Sequence, residues 1–353
     1  MDIPTALGDA AGKLLFPLVD LFDQRNLFSY LGAILFLIAA TVLIRARRSR
    51  GEVKLRAIWR LIGKRTVWLH RSARLDYRLY LVNMPLMAFV LGFFYAGSSA
   101  WSHLFGRLLT VLFGAGAVTT HHDWGVVALI AIVQLLALDG SYWLGHAAMH
   151  KSEVLWQFHK LHHSAEVMTP ATEFRQHPVE LIWMPAVTSV ATGLSYALVT
   201  HWFGTGTASM GIIGYGAIVC LHMATFHHLR HSHINMPFTG VMGRILHSPA
   251  HHIIHHSSNP AHFDRNMGYM LSIWDWMAGT LLIPRIGERI TLGVGPEGAE
   301  HRSVASAMWV PIRDAARLIG RKMPWSARAD SRSLGYNASA VDRATPTTLS
   351  AAP

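Results

Sequence analysis

Several long apolar runs constrain this chain more than any other feature, and the cleanest, Leu27–Ile44, carries no charged side chain. A helix needs about 20 mostly apolar residues to cross the hydrocarbon core of a bilayer. Comparable runs lie at about Tyr77–Gly97, Trp124–Leu144, Val179–Phe203 and Thr205–Met223. Their apolar residues recur at helical rather than alternating spacing, so they predict an all-α protein with four or five membrane-spanning helices.

Two details refine this topology. The last two runs are joined by a short glycine-rich turn, which predicts a helical hairpin. The stretch Trp101–Val118 is also apolar, but Arg107 and several glycines interrupt it. We therefore expect that stretch to lie at the interface or to re-enter the bilayer.

The composition agrees with a membrane protein and excludes several other classes. Charged residues make up 14% of the chain and the mean hydropathy is +0.28, whereas an ordinary globular domain carries about 25% charge. The single cysteine, Cys220, forms no internal disulfide and no cysteine metal cage. A disordered acidic tail, a disulfide-stapled secreted domain and an ordinary cytosolic enzyme are excluded, and no nucleic-acid partner is expected.

The basic residues predict the orientation. Lys and Arg number 31 against 20 Asp and Glu, and many of them lie in the loop Arg45–Arg74, whereas the leading segment is acidic. The positive-inside rule places that loop in the cytoplasm. Counting the spans onward then brings His146–His177 and His227–His262 to the same cytoplasmic face, although they are far apart in sequence.

The chain divides into three predicted parts. Residues 1–123 form a membrane region with the basic loop, 124–284 a domain that holds most of the histidines and that the resemblance described below implies to be catalytic, and 285–353 a cytoplasmic C-terminal segment. Within that last part, an amphipathic stretch at about Ser306–Lys322 is expected on the surface of the domain. Residues after about 326 have the composition of a disordered tail.

Histidine is the outlying residue type: the chain has 23, and 20 of them lie between His121 and His262. Four clusters stand out, with the sequences HAAMH, HKLHH, HHLRHSH and HHIIHH. In HxxHH on a helix, the two adjacent histidines point about 100° apart, so one motif can serve two neighbouring metals. The clusters supply ten ligands, enough for two ions, but imidazole alone does not name the metal.

The other polar residues are placed by the same reasoning. Carboxylates near the clusters are expected to orient the rings through the outer ring nitrogen; the candidates are Asp139, Glu173, Asp264 and Asp275. His121, His122 and His201 fall on the predicted opposite face and are not expected to be ligands. His70, His103, His247 and His301 have no partner spacing and receive no role.

The order of these clusters resembles the fatty acid hydroxylase / sterol desaturase superfamily of membrane-bound non-haem di-iron enzymes. The resemblance covers about Trp124–Pro284. It extends beyond the histidines to Asp139 with Tyr142-Trp143 and to Trp156. It also includes the strings RQHP from Arg175, HSHIN from His231, DRNMG from Asp264 and WDWMAGT from Trp274.

The resemblance implies a helical membrane bundle with a histidine-rich cap that holds two iron ions, which zinc can replace in a purified form. The implied metal ligands are His146, His150, His159, His162, His163, His227, His231, His252, His255 and His256. Whether His227 or its neighbour His228 is the ligand stays open. Additional ligands or partners of the ligand rings would be His177, His228, His233, Asp139, Glu173, Asp264, Asn266 and Asp275.

The implied activity is hydroxylation or desaturation of a lipid C–H bond with O2 and external electrons. The sequence has no Rossmann glycine fingerprint after a strand, no CxxC and no haem-attachment motif. The expected electron donor is therefore a separate ferredoxin, cytochrome or reductase, or a reduced pterin. A fatty acyl chain, sterol, sphingoid base, ether lipid or aminolipid all stay open as the substrate, and the sequence gives no oligomeric state.

Two other functional classes compete with an oxygenase. A metal transporter would place its ligands near the bilayer midplane, whereas most of these histidines lie in polar loops and helix extensions. A zinc-dependent membrane hydrolase would usually carry HExxH or a nucleophile motif such as GxSxG. Neither motif occurs in the chain.

Overall fold

The computed structural model describes residues 62–118 and 123–320. The first apolar run, most of the basic loop, His121, His122 and the tail after 326 lie outside these residues. The described part is helical, with two isolated β-bridges and no strand. Its α-helices are α1 Arg65–Trp68, α2 Arg71–Phe113, α3 Trp124–Lys151, α4 Glu153–His163, α5 Pro178–His222, α6 His228–Arg230, α7 Gly240–Ile245, α8 Pro249–His255, α9 Ile273–Ala278 and α10 Val304–Gly320. Short 3-10 turns lie at Pro170–Phe174, Pro260–His262 and Gly295–Glu300, and a π-helical turn at Met223–His227.

Helix α2 joins two segments that the sequence analysis separated. It begins after His70, whose ring accepts a hydrogen bond from Ser72 N (3.2 Å), and ends at Gly114, which adopts φ 84°. The stretch after Trp101 therefore continues this helix up to Phe113 instead of forming a helix of its own; its interfacial or re-entrant placement stays a prediction. Glycines lower helix propensity without ending a helix, and Gly106, next to Arg107, has open space around it. The helix bends by 41° between its two halves.

Helix α5 reverses direction at Gly204. A straight helix of its 45 residues would be about 67 Å long. Yet Glu173, just before α5, and His231, just after it, lie 2.6 Å apart. Gly204 has φ 77° and ψ 158°, a non-helical conformation inside the helical run. The two arms, 178–203 and 205–222, form the hairpin that the sequence predicted.

The long helices pack through small and polar residues. Gly97 of α2 lies against Ser189 of α5, and Ser98 Oγ is 2.9 Å from Thr192 Oγ1. Ser195 of the first arm donates to Gln134 Oε1 of α3 (3.0 Å), and Gly211 of the second arm lies against Ile130 on the same helix. Close backbone approach through small residues is typical of packed membrane helices.

Two helical runs in the described part, Trp124–Lys151 and Pro178–Arg230, are long and apolar enough to cross a membrane. The bent pair Arg71–Met87 and Phe89–Phe113 would be a third if it forms one span. The second of these runs contains the reversal at Gly204. The described chain is thus a helical bundle whose polar ends come together on one side.

A compact polar layer covers that side of the bundle. Leu75 and Leu79 of α2 pack with Leu161 of α4 and Ala307 of α10. Arg175 donates to the buried Asp76 (2.7 Å) and to the carbonyl of Leu161 at the end of α4 (2.9 Å). Helix α10 covers the predicted amphipathic stretch and lies on the surface of this layer. These contacts hold α4 at a fixed position above the long helices.

The reversal at Gly204 generates a prediction. Gly204→Ala forces a side chain into a backbone conformation that only glycine adopts easily, so we expect a loss of about 1–3 kcal/mol of unfolding free energy. Gly216→Ala is the matched control, since Gly216 lies in the second arm with nothing within 4 Å of an added Cβ. Denaturant unfolding in detergent measures both variants; equal stability of the two would contradict the requirement for glycine at 204.

Candidate metal centre

Helices α3 and α4 bring the first two histidine clusters together. His146 and His150 lie one turn apart at the end of α3. Ser152 ends α3 and also caps α4, where its side chain accepts from Leu155 N (3.3 Å). Because one residue separates the two helices, the chain turns sharply and the HxxHH of α4 faces the end of α3.

Helix α8 carries the second HxxHH. Ser248 caps it in a reciprocal pair with His251, and Pro249 occupies its first position, where a missing N–H costs nothing. The adjacent histidines of each motif point in different directions, as the helical geometry requires. His255 therefore belongs to one group of histidines and His256 to a second group. On α4, His163 belongs to the first group and His162 to the second.

The structure gathers nine histidines into two groups. Within each group, the ligand atoms all lie within 4.8 Å of one another. The five-histidine group consists of His146, His150, His159, His163 and His255. The four-histidine group consists of His162, His231, His252 and His256. All nine side chains are buried. The two distant histidine-rich stretches meet on one side of the bundle, as the sequence predicted.

Ring nitrogens in these groups approach one another without a proton between them. The carbonyl of Met267 lies 2.8 Å from His146 Nδ1, and that of Arg265 lies 2.8 Å from His255 Nδ1. A carbonyl only accepts, so both Nδ1 atoms carry the proton and both Nε2 atoms carry a lone pair. Those Nε2 atoms are 3.1 Å apart. Two facing lone pairs in a buried site fit a cation held between them.

Burial keeps these rings neutral. It lowers the pKa of His159, His163 and His255 well below the usual range, and neighbouring histidines lower the pKa of all three further. The same causes act on His162 and His256. A neutral imidazole is the form that binds a metal. The donor set therefore fits two metal ions of a type that accepts nitrogen ligands.

Carboxylates hold the outer nitrogens of three rings. Glu180 Oε1 is 2.9 Å from His159 Nδ1, and Glu173 Oε2 is 2.6 Å from His231 Nδ1. Asp264 lies 3.4 Å from His150 Nδ1. Burial raises the pKa of Glu173, but His231, His227 and Arg230 outweigh it and hold that pKa well below its usual range. Such contacts fix ring orientation and raise ligand basicity.

Asp139 and Asp275 hold backbone rather than histidine rings. Asp139 accepts from Met270 N (2.7 Å) and from Trp274 Nε1 (2.8 Å). Asp275 accepts from Met267 N (3.0 Å) and from Gly268 N (2.8 Å). Both carboxylates are fully buried. They fix the loop whose Met267 carbonyl sets the protonation of His146.

Asn266 supports the same loop from the opposite side. Its side chain donates to the carbonyls of His251 (3.2 Å) and Leu282 (2.8 Å) and accepts from Leu282 N (2.7 Å). Its backbone has φ 55°, a left-handed conformation that asparagine tolerates better than most residues. Asn266 thus joins two loops from a buried position. It lies between Arg265 and Met267, whose backbone carbonyls contact the rings of His255 and His146.

Several sequence candidates lie outside both groups. His227 sits in the π-helical turn, and its Nδ1 is 3.0 Å from the Tyr269 hydroxyl. His228 packs against His227, and His233 lies edge-on to Trp68. His177 caps α5 by accepting from Val179 N, with its other nitrogen 3.1 Å from the Met308 carbonyl. The extra residue per turn of the π-helix rotates His227 away from the face that His231 uses.

Sequence reasoning missed three features of this site. Glu180 is a buried carboxylate at the start of an apolar helix, and an ionisable residue in such a place is itself a functional signal. Arg230 is fully buried; its guanidinium lies 4.6 Å above the Tyr269 ring and Nη2 is 3.2 Å from His252 Nδ1. The sequence gave no sign that the backbone carbonyls of Arg265 and Met267 contact histidine rings, since every residue has a backbone carbonyl.

Comparison with known proteins places this site in a family. Residues 131–280 match the model of the fatty acid hydroxylase family, and both histidine groups lie within that segment. This domain belongs to the fatty acid hydroxylase superfamily. The hydroxylase domain thus begins within α3 and ends just after α9, so it includes α4, α5 and α8.

Curated relatives of this hydroxylase domain modify lipids according to their names. Alkylglycerol monooxygenase of Caenorhabditis elegans is 28% identical over 145 residues, which are 40% of this chain and 25% of that protein. Ornithine lipid hydroxylase OlsE of Rhizobium tropici is 26% identical over 202 residues, 57% of this chain and 56% of that protein. Very-long-chain aldehyde decarbonylase GL1-1 of Oryza sativa subsp. japonica is 23% identical over 161 residues, 44% and 24% of the two chains.

The matches are partial in length. The matched part of the chain spans 24% to 56% of the length of these relatives. No solved structure matches this chain significantly. The similarity therefore concerns the hydroxylase domain with its two histidine groups.

The carboxylate that orients His159 generates a prediction. Glu180→Gln replaces the carboxyl group that faces His159 Nδ1 with an amide, and losses of about 10- to 100-fold in metal affinity are usual for such partners. Metal content by mass spectrometry, followed by chelator competition, measures the change. Glu166→Gln is the matched control, because Glu166 pairs with Arg71 at the surface. An unchanged affinity in Glu180→Gln would mean that this carboxylate does not support the ring.

The position of His227 generates a second prediction. His231→Ala removes a member of the four-histidine group, so we expect the metal content to fall towards half. His227→Ala leaves both groups whole and is expected to retain its metal. Equal metal loss in the two variants would show that His227 turns to the four-histidine group when metal binds.

Proposed function

We propose that this chain is a membrane-bound, O2-dependent lipid hydroxylase whose two histidine groups hold a pair of iron ions. The observation that carries the proposal is the convergence of nine buried imidazoles, with facing lone pairs, into two adjacent groups. Membership of the fatty acid hydroxylase superfamily and the names of its relatives support a lipid-oxidising role.

The ligand set suits iron. Imidazole binds iron, zinc, copper and nickel alike, but the reaction class of the relatives requires a redox metal. The nine neutral rings leave the charge of two cations uncancelled, and the nearby carboxylates Glu173 and Asp264 offset part of it. Iron ions bound there would supply activation of dioxygen for attack on an unactivated C–H bond.

The protein's own residues hold the site rigid and dry. Glu180 and Glu173 fix the rings of His159 and His231, and the Met267 and Arg265 carbonyls fix those of His146 and His255. Burial of every ring excludes bulk water from the nitrogen atoms. Pre-set orientation of this kind avoids reorganisation during the reaction.

The aromatic residues on the bundle side of the five-histidine group suit a lipid tail. Tyr142 lies one helical turn before His146 on α3, with ring centroids 5.9 Å apart. Tyr269 packs on Tyr142 at 4.8 Å. A lipid tail that enters from between the apolar helices would pass these rings before it reached the histidines.

The proposed enzyme is a multi-pass membrane protein with its histidine side in the cytoplasm. Helix α2, helix α3 and the two arms of α5 would cross the bilayer, with Leu27–Ile44 as a further span. The basic run after Ile44 supports the cytoplasmic placement through the positive-inside rule. Electrons would come from a separate donor, such as a ferredoxin, cytochrome, reductase or reduced pterin.

We propose an alkyl or acyl chain of a polar membrane lipid as the substrate. The relatives named for alkylglycerol and for ornithine lipid support this class. A metal transporter is disfavoured, because the nine histidines lie at helix ends and in the cap rather than along the middle of the spans.

Lipidomics tests this function. A host that expresses the chain is compared with the same host that expresses His146→Ala, which removes a ligand from the five-histidine group. We expect one lipid class to gain 16 mass units, the mass of one oxygen atom, only with the unsubstituted chain. A loss of two mass units would show desaturation instead. No change in any lipid, with zinc bound and no oxygen uptake, would overturn the proposed oxygenase.

A further inference from the structure

Two short helices at the rim of the histidine layer present large apolar side chains outward. Val241 is 70% exposed and Met277 is 76% exposed. We call this the α7–α9 surface; it consists of Val241, Met242, Ile245, Leu246, Trp276 and Met277. Exposed apolar surfaces of this kind mark contact sites for a partner or a membrane.

The two helices form one continuous surface. Ser272 N, at the start of α9, donates to the carbonyl of Ile245 at the end of α7 (2.9 Å). The next residues, Leu246 and Leu271, form an antiparallel bridge. Because the backbone joins α7 to α9 at this point, their exposed side chains move as a unit.

The α7–α9 surface is fixed against the apolar helix α3. Asp139 accepts from Leu271 N (3.2 Å) and from Trp274 Nε1 (2.8 Å). Gly140 lies so close to the Trp274 ring that a Cβ there would be 3.0 Å from it. The surface is therefore attached at the level of residues 139–140 of α3.

With α3 crossing the bilayer as proposed above, that level falls at the edge of the bilayer. Helix α3 begins at Trp124, and a span needs about 20 residues to cross the hydrocarbon core. Counting from Trp124 puts the far boundary near residues 140–144, and Leu144 is itself exposed. The attachment point of α7 and α9 lies at that boundary, so their outward side chains reach lipid rather than bulk water.

We propose that the α7–α9 surface is seated in the membrane, at the boundary between lipid headgroups and acyl chains. The inference goes beyond the proposed reaction and rests on α3 crossing the bilayer. Its composition suits that depth: Trp276 is a residue favoured at membrane interfaces, and the exposed Arg244 between the apolar residues of α7 can extend to lipid phosphates. The histidine layer is thereby held against the bilayer by a second contact besides its long helices.

Collision accessibility of spin labels tests this placement. The full chain is reconstituted in nanodiscs of phosphatidylcholine and phosphatidylglycerol, with Cys220→Ser as the background. Single labels are attached at Val241→Cys, Met242→Cys and Met277→Cys. Arg317→Cys on α10 is the matched control, because Arg317 is exposed to a similar degree, with 64% of its side chain accessible. Bound metal and elution as a single species verify that each labelled protein is folded.

The three surface labels are expected to collide several-fold more often with oxygen, which dissolves in lipid, than with a water-soluble nickel complex. The control label is expected to show the reverse preference. Equal access of the nickel complex to the surface labels and the control would overturn the proposal. So would surface labels shielded from both reagents with dipolar broadening between chains, which would identify a second copy as the occupant. The readout needs no turnover, so it stands apart from the test of the reaction.

Discussion

The structure depends on the close approach of buried ring nitrogens, which a bound cation would hold together. Backbone carbonyls fix the protons of His146 and His255 on Nδ1, so their Nε2 lone pairs face each other at 3.1 Å in a buried site. Burial shields these atoms from bulk water and lowers the pKa of both rings, which keeps them neutral. The fold therefore holds these rings in an orientation that metal binding would make favourable, and much of the cap maintains that orientation.

The long helices supply that geometry from a distance. The reversal at Gly204 returns the chain to the side where it started, so that Glu173 and His231 meet across a helical run of 45 residues. The buried pair of Arg175 and Asp76 holds the end of α4. Asp139 holds the loop that carries Met267. Gly204, Asp76 and Asp139 in the apolar helices thus position the site without touching a ring nitrogen.

The sequence predicted the helical class, the hairpin and the meeting of two distant histidine stretches, because these follow from apolar length and helical spacing. It did not predict that α2 continues through Phe113, since the glycines and Arg107 interrupt the apolar run without ending the helix. It also placed Asp139 and Asp275 beside histidine rings, whereas both hold backbone N–H groups. A carboxylate's partner is decided by packing and not by distance along the chain.

The sequence by itself determined how the histidines within each HxxHH motif are directed, because adjacent histidines on a helix must diverge. The tertiary structure alone decided how nine of them divide into five and four, and which outer nitrogens meet Glu180, Glu173 or a carbonyl. It also turned His227 towards Tyr269 through a π-helical turn. The reason is physical: helical periodicity fixes directions within one element, whereas distances between elements depend on how their side chains pack.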